Sequence, residues 1–401
     1  MAGVERFRVA IAGAGPVGTT LATLLSQAGH DVVVLEAGVD CAQDLRASTF
    51  HPPTLEMLDS IGVTPMLLER GLKAPVYHWR DRTSGEVIEL DLTELSDVTR
   101  YPFRIQCEQY HLSRALADRL SHSGNADMRF AHRLTYFRED DDGVQLWVET
   151  MEGMREMRAD FLVGADGANS IVRKWLGIEF DGFTYPERFL CLSTREELAD
   201  HLPNLAYVNY VSDPEEWLVL LRVPSLWRVL VPTDGTLDDD TLRSDGMKEG
   251  IFDRLIGKPD VVTEHRTLYR VHQRVAQSFR KGRVMLVGDA AHLNNPLGGF
   301  GMNSGVHDAF NLFEKLDPVL RAEADMDERL SLYDRQRRTV THDFTQAQTK
   351  ANMAFIKGGS DEAHARRRAD MLAIRNDDER RRAYLLRQAM FESLEQAAAI
   401  D

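Results

Sequence analysis

The sequences VMLVGDAAH (residues 284–292) and NPLGGFGMN (residues 295–303) decide the fold of this 401-residue chain. The apolar residues of the first predict a buried strand that ends in Gly288 and the carboxylate of Asp289. The glycine-rich turn of the second opens a helix that is predicted to begin near Gly301. Backbone N–H groups at a helix start favour negative charge, and a reduced flavin carries its negative charge on its pyrimidine edge. The two sequences therefore predict a site for the reactive half of FAD.

The other end of such a cofactor is predicted near the N-terminus. RVAIA (residues 8–12) is typical of a buried parallel strand, GAGPVG (residues 13–18) of a tight turn, and the next residues of a helix to about Ala28. The strand after that, Asp31 to Leu35, ends in Glu36, whose carboxylate can accept hydrogen bonds from an adenosine ribose. A merely glycine-rich turn would not explain this acid. Dinucleotide binding is therefore predicted at the following positions: Gly13, Gly15, Pro16, Val17, Gly18 and Glu36.

A third junction of strand and glycine lies between these two, in FLVGADGANSIVR (residues 161–173). A buried strand again meets Gly-Asp-Gly, and then a predicted helix that carries Arg173. Alone, this pattern is typical of an ordinary capped junction between a strand and a helix. As the third such junction in the chain, it indicates one dinucleotide that is contacted repeatedly along its length.

In the order and spacing of these three segments, roughly residues 5–345 resemble the class A, single-component flavin-dependent aromatic monooxygenases, the p-hydroxybenzoate hydroxylase family. The resemblance implies an enzyme that uses FAD, NAD(P)H and O₂ to hydroxylate an electron-rich aromatic ring through a C4a-hydroperoxyflavin. The ring would be a phenol or a hydroxylated N-heteroaromatic. The protein's part in such chemistry is to orient the ring, to exclude water and to stabilise charge.

The implied fold is α/β (α+β), with a GR2-type, Rossmann-like FAD-binding domain interleaved with a mainly antiparallel β-sheet substrate domain and followed by a C-terminal helical segment. The expected boundaries are residues 1–75, 106–182 and 276–340 for the FAD-binding domain, 76–105 and 183–275 for the substrate-binding sheet, and 341–401 for the C-terminal helices. Residues 109–120 are predicted to form a helix, and residues 128–148 a small β-meander. A C-terminal apolar stripe must pack either on this chain or on a second subunit, which leaves a homodimer open: Leu385, Leu386, Met390 and Leu394.

The cofactor positions of the family carry over to this sequence one by one. The resemblance implies that Arg46 and Gln109 contact the ribityl or pyrophosphate region and that Asp289 binds the ribityl hydroxyls. It implies a border of the isoalloxazine formed by these residues: Gly298, Gly299, Gly301, Met302 and Asn303. The Pro296 carbonyl is implied to face the substrate. Asp166 and Arg173 are a less specific pair that could serve FAD and the incoming nicotinamide.

The substrate residues are less well determined. Tyr210 matches a family tyrosine that binds the phenolic hydroxyl, and an amphipathic core tyrosine is the competing interpretation. The family's serine and arginine for a benzoate carboxylate fall on Leu221 and Val223, which argues against p-hydroxybenzoate as the substrate. Arg228 could grip a carboxylate with two hydrogen bonds, or it could be exposed or structurally paired. His51 is expected near the isoalloxazine, either as an acid or base or as a hydrogen-bonded structural histidine.

Composition excludes several classes of protein. The net charge is −15 and no basic stripe is present, which argues against a nucleic-acid partner. The cysteines are odd in number and unpaired in spacing: Cys41, Cys107 and Cys191. This usage argues against a disulfide framework and against a zinc or other metal site, and it is typical of a reducing cytoplasm. The N-terminal apolar run is too short and too glycine-rich for a signal peptide or a membrane helix.

Two alternative functions share the fold. Flavin-dependent halogenation has weak support, because Trp227 to Pro232 only loosely matches the tryptophan motif of halogenases. A non-catalytic flavin-binding sensor would hold FAD that nicotinamide reduces slowly, whichever aromatic compound is added. Arginine triplets at residues 366–368 and 380–382 favour a solvated helix face over an anion site, because acidic residues lie among them.

Overall fold

The computed structural model describes residues 4–43, 47–233, 235–356 and 360–401. The strands are β1 Glu5–Ala12, β2 Val32–Leu35, β3 Thr49–Phe50, β4 Leu72–Ala74, β5 Val76–Asp81, β6 Val87–Asp91, β7 Arg104–Gln106, β8 Ala126–Arg129, β9 Arg133–Asp140, β10 Gly143–Thr150, β11 Gly153–Gly164, β12 Phe180–Thr194, β13 Val208–Ser212, β14 Leu218–Val223, β15 Leu226–Thr233, β16 His265–Ala276, β17 Arg280–Lys281, β18 Val284–Leu286 and β19 His292–Leu293.

The helices are α1 Pro16–Gln27, α2 Pro52–Ser60, α3 Thr64–Arg70, α4 Gln109–Leu120, α5 Ile171–Trp175, α6 Asp239–Arg243, α7 Asp245–Ile256, α8 Phe300–Leu320, α9 Met326–Val340, α10 Ala347–Ile356, α11 Asp361–Asn376, α12 Asp378–Gln388 and α13 Phe391–Ala398. Short 3₁₀ helices lie at Leu92–Leu95, Leu198–Asp200 and Gly288–Ala290, and a π-helix at Thr341–Gln346 joins α9 to α10. None of the helices in the described ranges has both the length and the apolar composition needed to cross a membrane.

The first sheet brings the three glycine junctions to one edge. Its order is β17-β18-β11-β1-β2-β8, and β1, β2, β11 and β18 run parallel to one another. The register pairs Ala12 with Leu35 and with Gly164, and Gly164 with Leu286. Because the carboxyl ends of parallel strands meet at the same edge, the turns after β1, β11 and β18 lie side by side. One extended dinucleotide can therefore contact all three.

Most of the predicted elements are confirmed, and one is wrong. The helix predicted at residues 109–120 is α4, and the helix predicted near Gly301 begins at Phe300. The meander predicted at residues 128–148 is wrong in its first strand, because β8 is parallel to β2 and extends the edge of the first sheet. The antiparallel strands β9 and β10 continue instead into β11. Every residue of β8 is half-buried, so its side-chain pattern gives no indication of which strand it pairs with.

The second sheet has two covered faces. Its order is β19-β16-β12-β15-β14-β13-β5-β6. On one face Val229 packs with Phe252 of α7. On the opposite face Val219 and Leu230 pack with Leu297, which belongs to the turn that precedes α8. This second face therefore looks toward the predicted flavin site.

The C-terminal helices pack on the chain's own body. Leu385 of α12 is fully buried in a cluster with Trp79, and Met390 is fully buried in a cluster with Phe300. One arginine of each triplet predicted on a solvated helix face forms an ion pair with an acid near the edge of the second sheet: Arg368 lies 3.1 Å from Glu86, and Arg381 lies 2.7 Å from Glu94. The apolar stripe thus does not require a second subunit.

A buried carboxylate ties the third glycine junction to the helices behind it. Asp308 of α8 is fully buried and accepts hydrogen bonds from Arg337 Nε at 2.6 Å, His292 Nε2 at 2.7 Å and the Gly288 N–H at 3.0 Å. Arg337 of α9 also donates to the carbonyl of Ser304 at 3.3 Å. Burial raises the pKa of Asp308, but Arg337 and His292 outweigh burial and lower this pKa to about 2. The carboxylate therefore stays charged.

Replacing Arg337 by methionine tests the weight of this ion pair. The change leaves the Asp308 charge buried with a weakened set of partners, which costs about 3–5 kcal/mol of the free energy of unfolding. Urea unfolding followed by circular dichroism measures the loss. The matched control is Arg366→Met, because the Arg366–Glu362 pair is 79% and 78% exposed and such pairs contribute about 0–1 kcal/mol. Equal losses in the two variants would contradict this account.

Candidate active site and flavin site

The turn between β1 and α1 leaves open space at its middle glycine. A Cβ at Gly13 would lie 2.4 Å from the Ala165 carbonyl oxygen, and one at Gly18 would lie 2.1 Å from the Gly13 carbonyl oxygen. A Cβ at Gly15 would meet nothing within 4 Å. Gly15 precedes Pro16 at the start of α1, where the helix N-terminus favours a phosphate. The space in front of Gly15 therefore fits the pyrophosphate of a dinucleotide.

Glu36 is fixed at the end of β2 by backbone donors. Its Oε2 accepts the Ala14 N–H at 2.8 Å, and its Oε1 accepts the Gly38 N–H at 2.8 Å. Each carboxylate oxygen keeps a second lone pair. The residue is thus held beside the first turn with acceptor capacity left for ribose hydroxyls.

The second and third junctions pack against the first. A Cβ on Gly305 of α8 would lie 2.6 Å from Val17 Cγ2 and 3.1 Å from the Gly288 Cα. Val17 is therefore the side chain around which the first and third turns meet. Asp289 lies exposed in the 3₁₀ helix that follows β18.

Asp166 and Arg173 have different surroundings. Asp166 Oδ2 accepts the Ile171 N–H at 2.7 Å, while its Oδ1 is buried without a hydrogen-bond partner among the described residues. Burial raises the pKa of Asp166. Arg173 donates to the carbonyls of Ala290 at 2.7 Å and Ala168 at 3.0 Å. The arginine thus ties the second junction to the third, whereas Asp166 presents an acceptor that a cofactor hydroxyl would satisfy.

The turn before α8 is held by a hydrogen bond of its own backbone and by the side chain of Asn303. Gly298 and Gly299 have φ values of +96° and +71°, and the Pro296 carbonyl accepts the Gly299 N–H at 3.1 Å. Asn303 donates to the carbonyls of Gly299 at 2.6 Å and Thr49 at 2.8 Å. The amide of Asn303 therefore joins the turn to β3.

The remaining residues predicted around this turn have other surroundings. Met302 is 7% exposed and packs in an apolar cluster with Phe50. Gly301 lies in the first turn of α8, and a Cβ there would approach Asn294 Oδ1 only to 3.6 Å. Pro296 is exposed. The start of α8 thus offers backbone groups, rather than the Met302 side chain, to a neighbouring ligand.

His51 is a buried, hydrogen-bonded histidine at the same turn. Its Nε2 lies 2.7 Å from the Gly298 carbonyl oxygen, and because a carbonyl only accepts, Nε2 carries the proton. Its backbone N–H donates to Asn303 Oδ1 at 3.0 Å. Burial, together with the nearby Arg104 guanidinium, lowers the pKa of His51 well below its ordinary value. The imidazole is neutral and braces the turn.

Two predicted cofactor residues remain, and the structure describes one of them. Arg46 lies outside the described residues. Gln109 is the first residue of α4, is half-buried, and its backbone N–H donates to the Ala47 carbonyl at 3.1 Å. The start of α4 at Gln109 is therefore hydrogen-bonded to the residues that immediately precede β3.

The structure brings the three predicted substrate residues to one sheet face. Leu221 of β14 is paired directly with Arg228 of β15, and Tyr210 of β13 is paired with Val219. Side chains of directly paired residues share a face. This face is the one that packs with Leu297 of the flavin turn. Arg228 is 2% exposed, and its Nη1 lies 3.5 Å from Ser48 Oγ, so the interpretation as an exposed arginine is wrong.

A group of aromatic hydroxyls and one arginine completes the site, and no sequence motif marked it. The Tyr77 and Tyr210 rings are in edge contact, with their centroids 6.1 Å apart, and the guanidinium carbon of Arg104 lies 4.2 Å from the Tyr77 ring centroid. Tyr384 of α12 lies beside the Tyr77 hydroxyl, and burial raises the pKa of both tyrosines. These hydroxyls are protonated donors. Tyr77 falls in the predicted substrate-binding sheet (residues 76–105), but no motif marks it as part of a site.

One group of side chains near the site has the spacing of metal ligands. Ligand atoms of Cys107, Glu108 and His111 lie within 4.8 Å of one another. Burial, reinforced by Glu108, raises the pKa of Cys107 to about 12, whereas a metal requires the thiolate. Glu108 also accepts a hydrogen bond from Ser225 Oγ at 2.9 Å. The group is thus a hydrogen-bonded link between α4 and the turn from β14 to β15.

Comparison with known proteins identifies the family. A family model described as an FAD binding domain matches residues 6–348. The chain is 35% identical over 354 residues to the para-nitrophenol 4-monooxygenase of Pseudomonas sp. (strain WBC-3), with 87% of each chain covered. The chain belongs to the class A flavin-dependent aromatic hydroxylases. This hydroxylase is also 35% identical over 318 residues to the 6-hydroxy-3-succinoylpyridine 3-monooxygenase of Pseudomonas putida (strain DSM 28022 / S16), with 78% of this chain and 80% of the relative covered.

Solved structures agree with this assignment. The crystal structure of the p-nitrophenol 4-monooxygenase of Pseudomonas putida DLL-E4 matches the hydroxylase with a TM-score of 0.91 and 33% identity, over 98% of this chain and 99% of that chain. Aklavinone-11 hydroxylase, solved with FAD and aklavinone, matches with a TM-score of 0.78 and 26% identity over 89% of this chain and 70% of that chain. These relatives are monooxygenases and hydroxylases, which favours hydroxylation over halogenation or a sensor role.

FAD fits the residues that converge at the first sheet. The open space at Gly15, the acceptors of Glu36 and the partnerless Asp166 oxygen match a pyrophosphate and hydroxyl groups. Bound FAD supplies the electron transfer from NAD(P)H and the activation of O₂ that this family uses for aromatic hydroxylation. The residues that would hold it at the first sheet are Gly15, Glu36 and Asp166.

Replacing Gly15 by alanine tests the pyrophosphate position. The added methyl group fills the open space without a clash inside the protein, so the fold is retained and FAD binds at least about tenfold more weakly. Quenching of flavin fluorescence on titration of the apoprotein measures the dissociation constant. Gly246→Ala is the matched control, because a Cβ there also meets nothing within 4 Å but lies on α7. Unchanged FAD affinity of Gly15→Ala would contradict the placement.

Proposed function

We propose that this hydroxylase acts on phenols or hydroxypyridines that carry a small ring substituent, and that the ring lies between the flavin turn and the second sheet. The observation that carries the proposal is the common face of Tyr210, Leu221 and Arg228, which packs with Leu297 of that turn. Two relatives support it, since their names specify a nitrophenol and a hydroxypyridine as substrates.

Each side of this space has a distinct chemical role in the proposal. Leu221, with neighbouring apolar side chains of the face, holds the ring and excludes water, which protects the oxygen-transferring intermediate. Tyr210 donates a hydrogen bond to the oxygen of the phenol. The Pro296 carbonyl lies at the flavin side of the ring and orients it. Arg228 sets the polar end of the sheet face, where a ring substituent with an acceptor group would fit.

His51 acts in this proposal as a positioning residue. Its Nε2–H is committed to the Gly298 carbonyl, and the lowered pKa keeps the ring neutral. It therefore keeps the turn in place instead of transferring a proton to or from the substrate. The cofactor roles inferred for Asp289, Gln109 and Arg46 belong to the same proposal.

The domain boundaries, the compartment and the oligomeric state are also proposals. The two large sheets support a division into an FAD-binding domain (residues 1–75, 106–182 and 276–340), a substrate-binding sheet (76–105 and 183–275) and C-terminal helices (341–401). The three cysteines are free and buried, which supports a reducing cytoplasm. A homodimer would use surface other than Leu385 and Met390, which are fully buried in this chain.

The proposed substrate class is tested by NAD(P)H oxidation with the purified holoenzyme. The panel contains 4-nitrophenol, other para-substituted phenols, hydroxypyridines and matched aromatic compounds without a hydroxyl group. We expect hydroxylated compounds to stimulate oxidation with little H₂O₂ released, and chromatography with mass spectrometry to show a hydroxylated product. Stimulation accompanied by stoichiometric H₂O₂ would mean that the compound is only an effector. Equal responses to compounds with and without the hydroxyl group would overturn the proposal.

Replacing Tyr210 by phenylalanine tests the contact with the phenol oxygen. The loss of one hydrogen bond to a charged or developing-charge oxygen lowers kcat/KM about 10- to 100-fold. The matched control is Tyr207→Phe, because Tyr207 precedes the same strand and is 41% exposed. Initial rates over a range of substrate concentrations measure the effect. Identical kcat/KM values for the two variants would show that Tyr210 is an amphipathic core tyrosine.

A further inference from the structure

The flavin turn, residues 295–299, leaves one backbone N–H group without an acceptor. Gly298 is buried, and its N–H bonds to no acceptor in the described part of the chain. Each other N–H of the turn has an acceptor, at 3.1 Å in every case: Gln273 Oε1 for Asn295, Asn295 Oδ1 for Leu297 and the Pro296 carbonyl for Gly299. A buried N–H without a partner costs as much free energy as a lost hydrogen bond. The exception at Gly298 therefore indicates that a bound ligand supplies the acceptor.

Asn352 of α10 fixes the direction of this N–H group. Its Nδ2 donates to the Leu297 carbonyl at 3.3 Å. That carbonyl and the Gly298 N–H belong to one peptide bond, which is trans. In a planar trans peptide the two groups point in opposite directions. Because Asn352 holds the carbonyl toward α10, the Gly298 N–H points away from α10.

The start of α10 and the residues beside it contact the turn at several points. A Cβ at Gly298 would lie 2.8 Å from Asn352 Nδ2, so the amide lies directly against the turn. The Thr349 carbonyl accepts the Asn295 Nδ2–H at 2.9 Å. Gln346 Nε2 donates to the Leu293 carbonyl at 2.8 Å. Because residues 346, 349 and 352 recur every three positions, they share one helix face, and that face holds the turn.

The amide of Asn352 is itself oriented by a chain of donors. Gln348 Nε2 and Gln388 Nε2 donate to Asn352 Oδ1 at 2.8 and 3.0 Å. Gln348 Oε1 accepts a hydrogen bond from Arg387 Nε. Because a guanidinium only donates, the oxygen of Gln348 faces Arg387 and its nitrogen faces Asn352. The Asn352 oxygen is thus occupied, and its nitrogen is left to bind the Leu297 carbonyl.

A donor at Gly298 matters for the reduced form of the cofactor. NAD(P)H delivers a hydride, that is two electrons and one proton, and leaves as NAD(P)⁺. The flavin therefore gains one negative charge. A preorganised N–H that points at the site of this charge stabilises the reduced form more than the oxidised form. A larger difference in binding between the two forms means a higher reduction potential.

We propose that Asn352 is a positioning residue, which turns the Gly298 N–H toward the bound flavin and thereby raises the reduction potential of that flavin. This inference rests on the position of the isoalloxazine beside Gly298 that the proposed function assumes. Asn352 acts through the peptide between Leu297 and Gly298. The C-terminal helices thus help to set the driving force for reduction by NAD(P)H.

The test is the reduction potential of the purified holoenzyme, measured against a reference dye without any aromatic substrate. Asn352→Leu removes the amide donor and keeps a side chain of similar size. The matched control is Gln336→Leu, because Gln336 is 6% exposed and its Nε2 donates to the Ile400 carbonyl at 2.8 Å. Both variants lose an amide bond to a backbone carbonyl, but only one of these carbonyls belongs to the flavin turn. Circular dichroism and flavin content establish that each variant is folded and loaded.

We expect Asn352→Leu to lower the preference for reduced over oxidised FAD about tenfold, which for a two-electron couple is a potential about 30 mV lower. The affinity for oxidised FAD should be nearly unchanged, because the oxidised ring lacks the added charge. Gln336→Leu should keep the wild-type potential. If Asn352→Leu does not retain FAD, Asn352→Ala carries the same expectation, since alanine adds no bulk beside Gly298. An unchanged potential in the Asn352 variant, or an equal shift in Gln336→Leu, would overturn the inference.

The same measurements separate this inference from the proposed function. A hydroxylase that is active on phenols but whose Asn352→Leu variant keeps its potential would overturn the role of Asn352 alone. A shifted potential in an enzyme that hydroxylates no phenol of the panel would support the role of Asn352 and overturn the proposed substrate class.

Discussion

The buried charge of Asp308 is the constraint on which the rest of the site depends. Its two oxygens hold the Gly288 N–H, His292 and Arg337, so the end of β18 is fixed to α8 and α9 at one point. The turn at Gly298 lies in the connection between Gly288 and α8. Because Gly288 is held against α8, the position of this turn is also determined. A carboxylate with a pKa of about 2 remains charged at every pH at which such an enzyme works. The contacts of Asp308 with Gly288, His292 and Arg337 are therefore kept over that pH range.

From that anchored turn the structure extends in two directions. The Gly298 carbonyl accepts the His51 proton and so reaches the third sheet, while Leu297 packs on the face of the second sheet that carries Tyr210. The C-terminal helices close the remaining side with apolar residues and with Tyr384. In the proposed function, the aromatic ring occupies a water-poor space between this turn, the sheet face and the C-terminal helices. Hydroxylation by an electrophilic oxygen requires such a space, since water diverts the oxidant to peroxide.

The sequence was sufficient for the parts of the fold that depend on local chemistry. Strands β1, β11 and β18 each combine an apolar run with a glycine turn, and α4 has clear helical periodicity, so the ends of these strands and the bounds of α4 are predicted to within a residue or two. The pairing of β8 was not predictable, because its residues are uniformly half-buried. The ion pair of Asp308 with Arg337 was not predictable either, and neither was the proximity of Arg104 to Tyr384. Those contacts join residues far apart in sequence, and charge or aromaticity at a single position does not name its partner.

The account's central claim is that a phenol ring lies between the flavin turn and the tyrosines of the second sheet, with its oxygen at Tyr210. A crystal structure of the holoenzyme with 4-nitrophenol, under conditions without NAD(P)H, tests this most directly. The account predicts the ring against Leu297 and Leu221, with the phenol oxygen within hydrogen-bond distance of the Tyr210 hydroxyl. A ring bound elsewhere, or one that turns its oxygen away from Tyr210 toward the flavin, would contradict it.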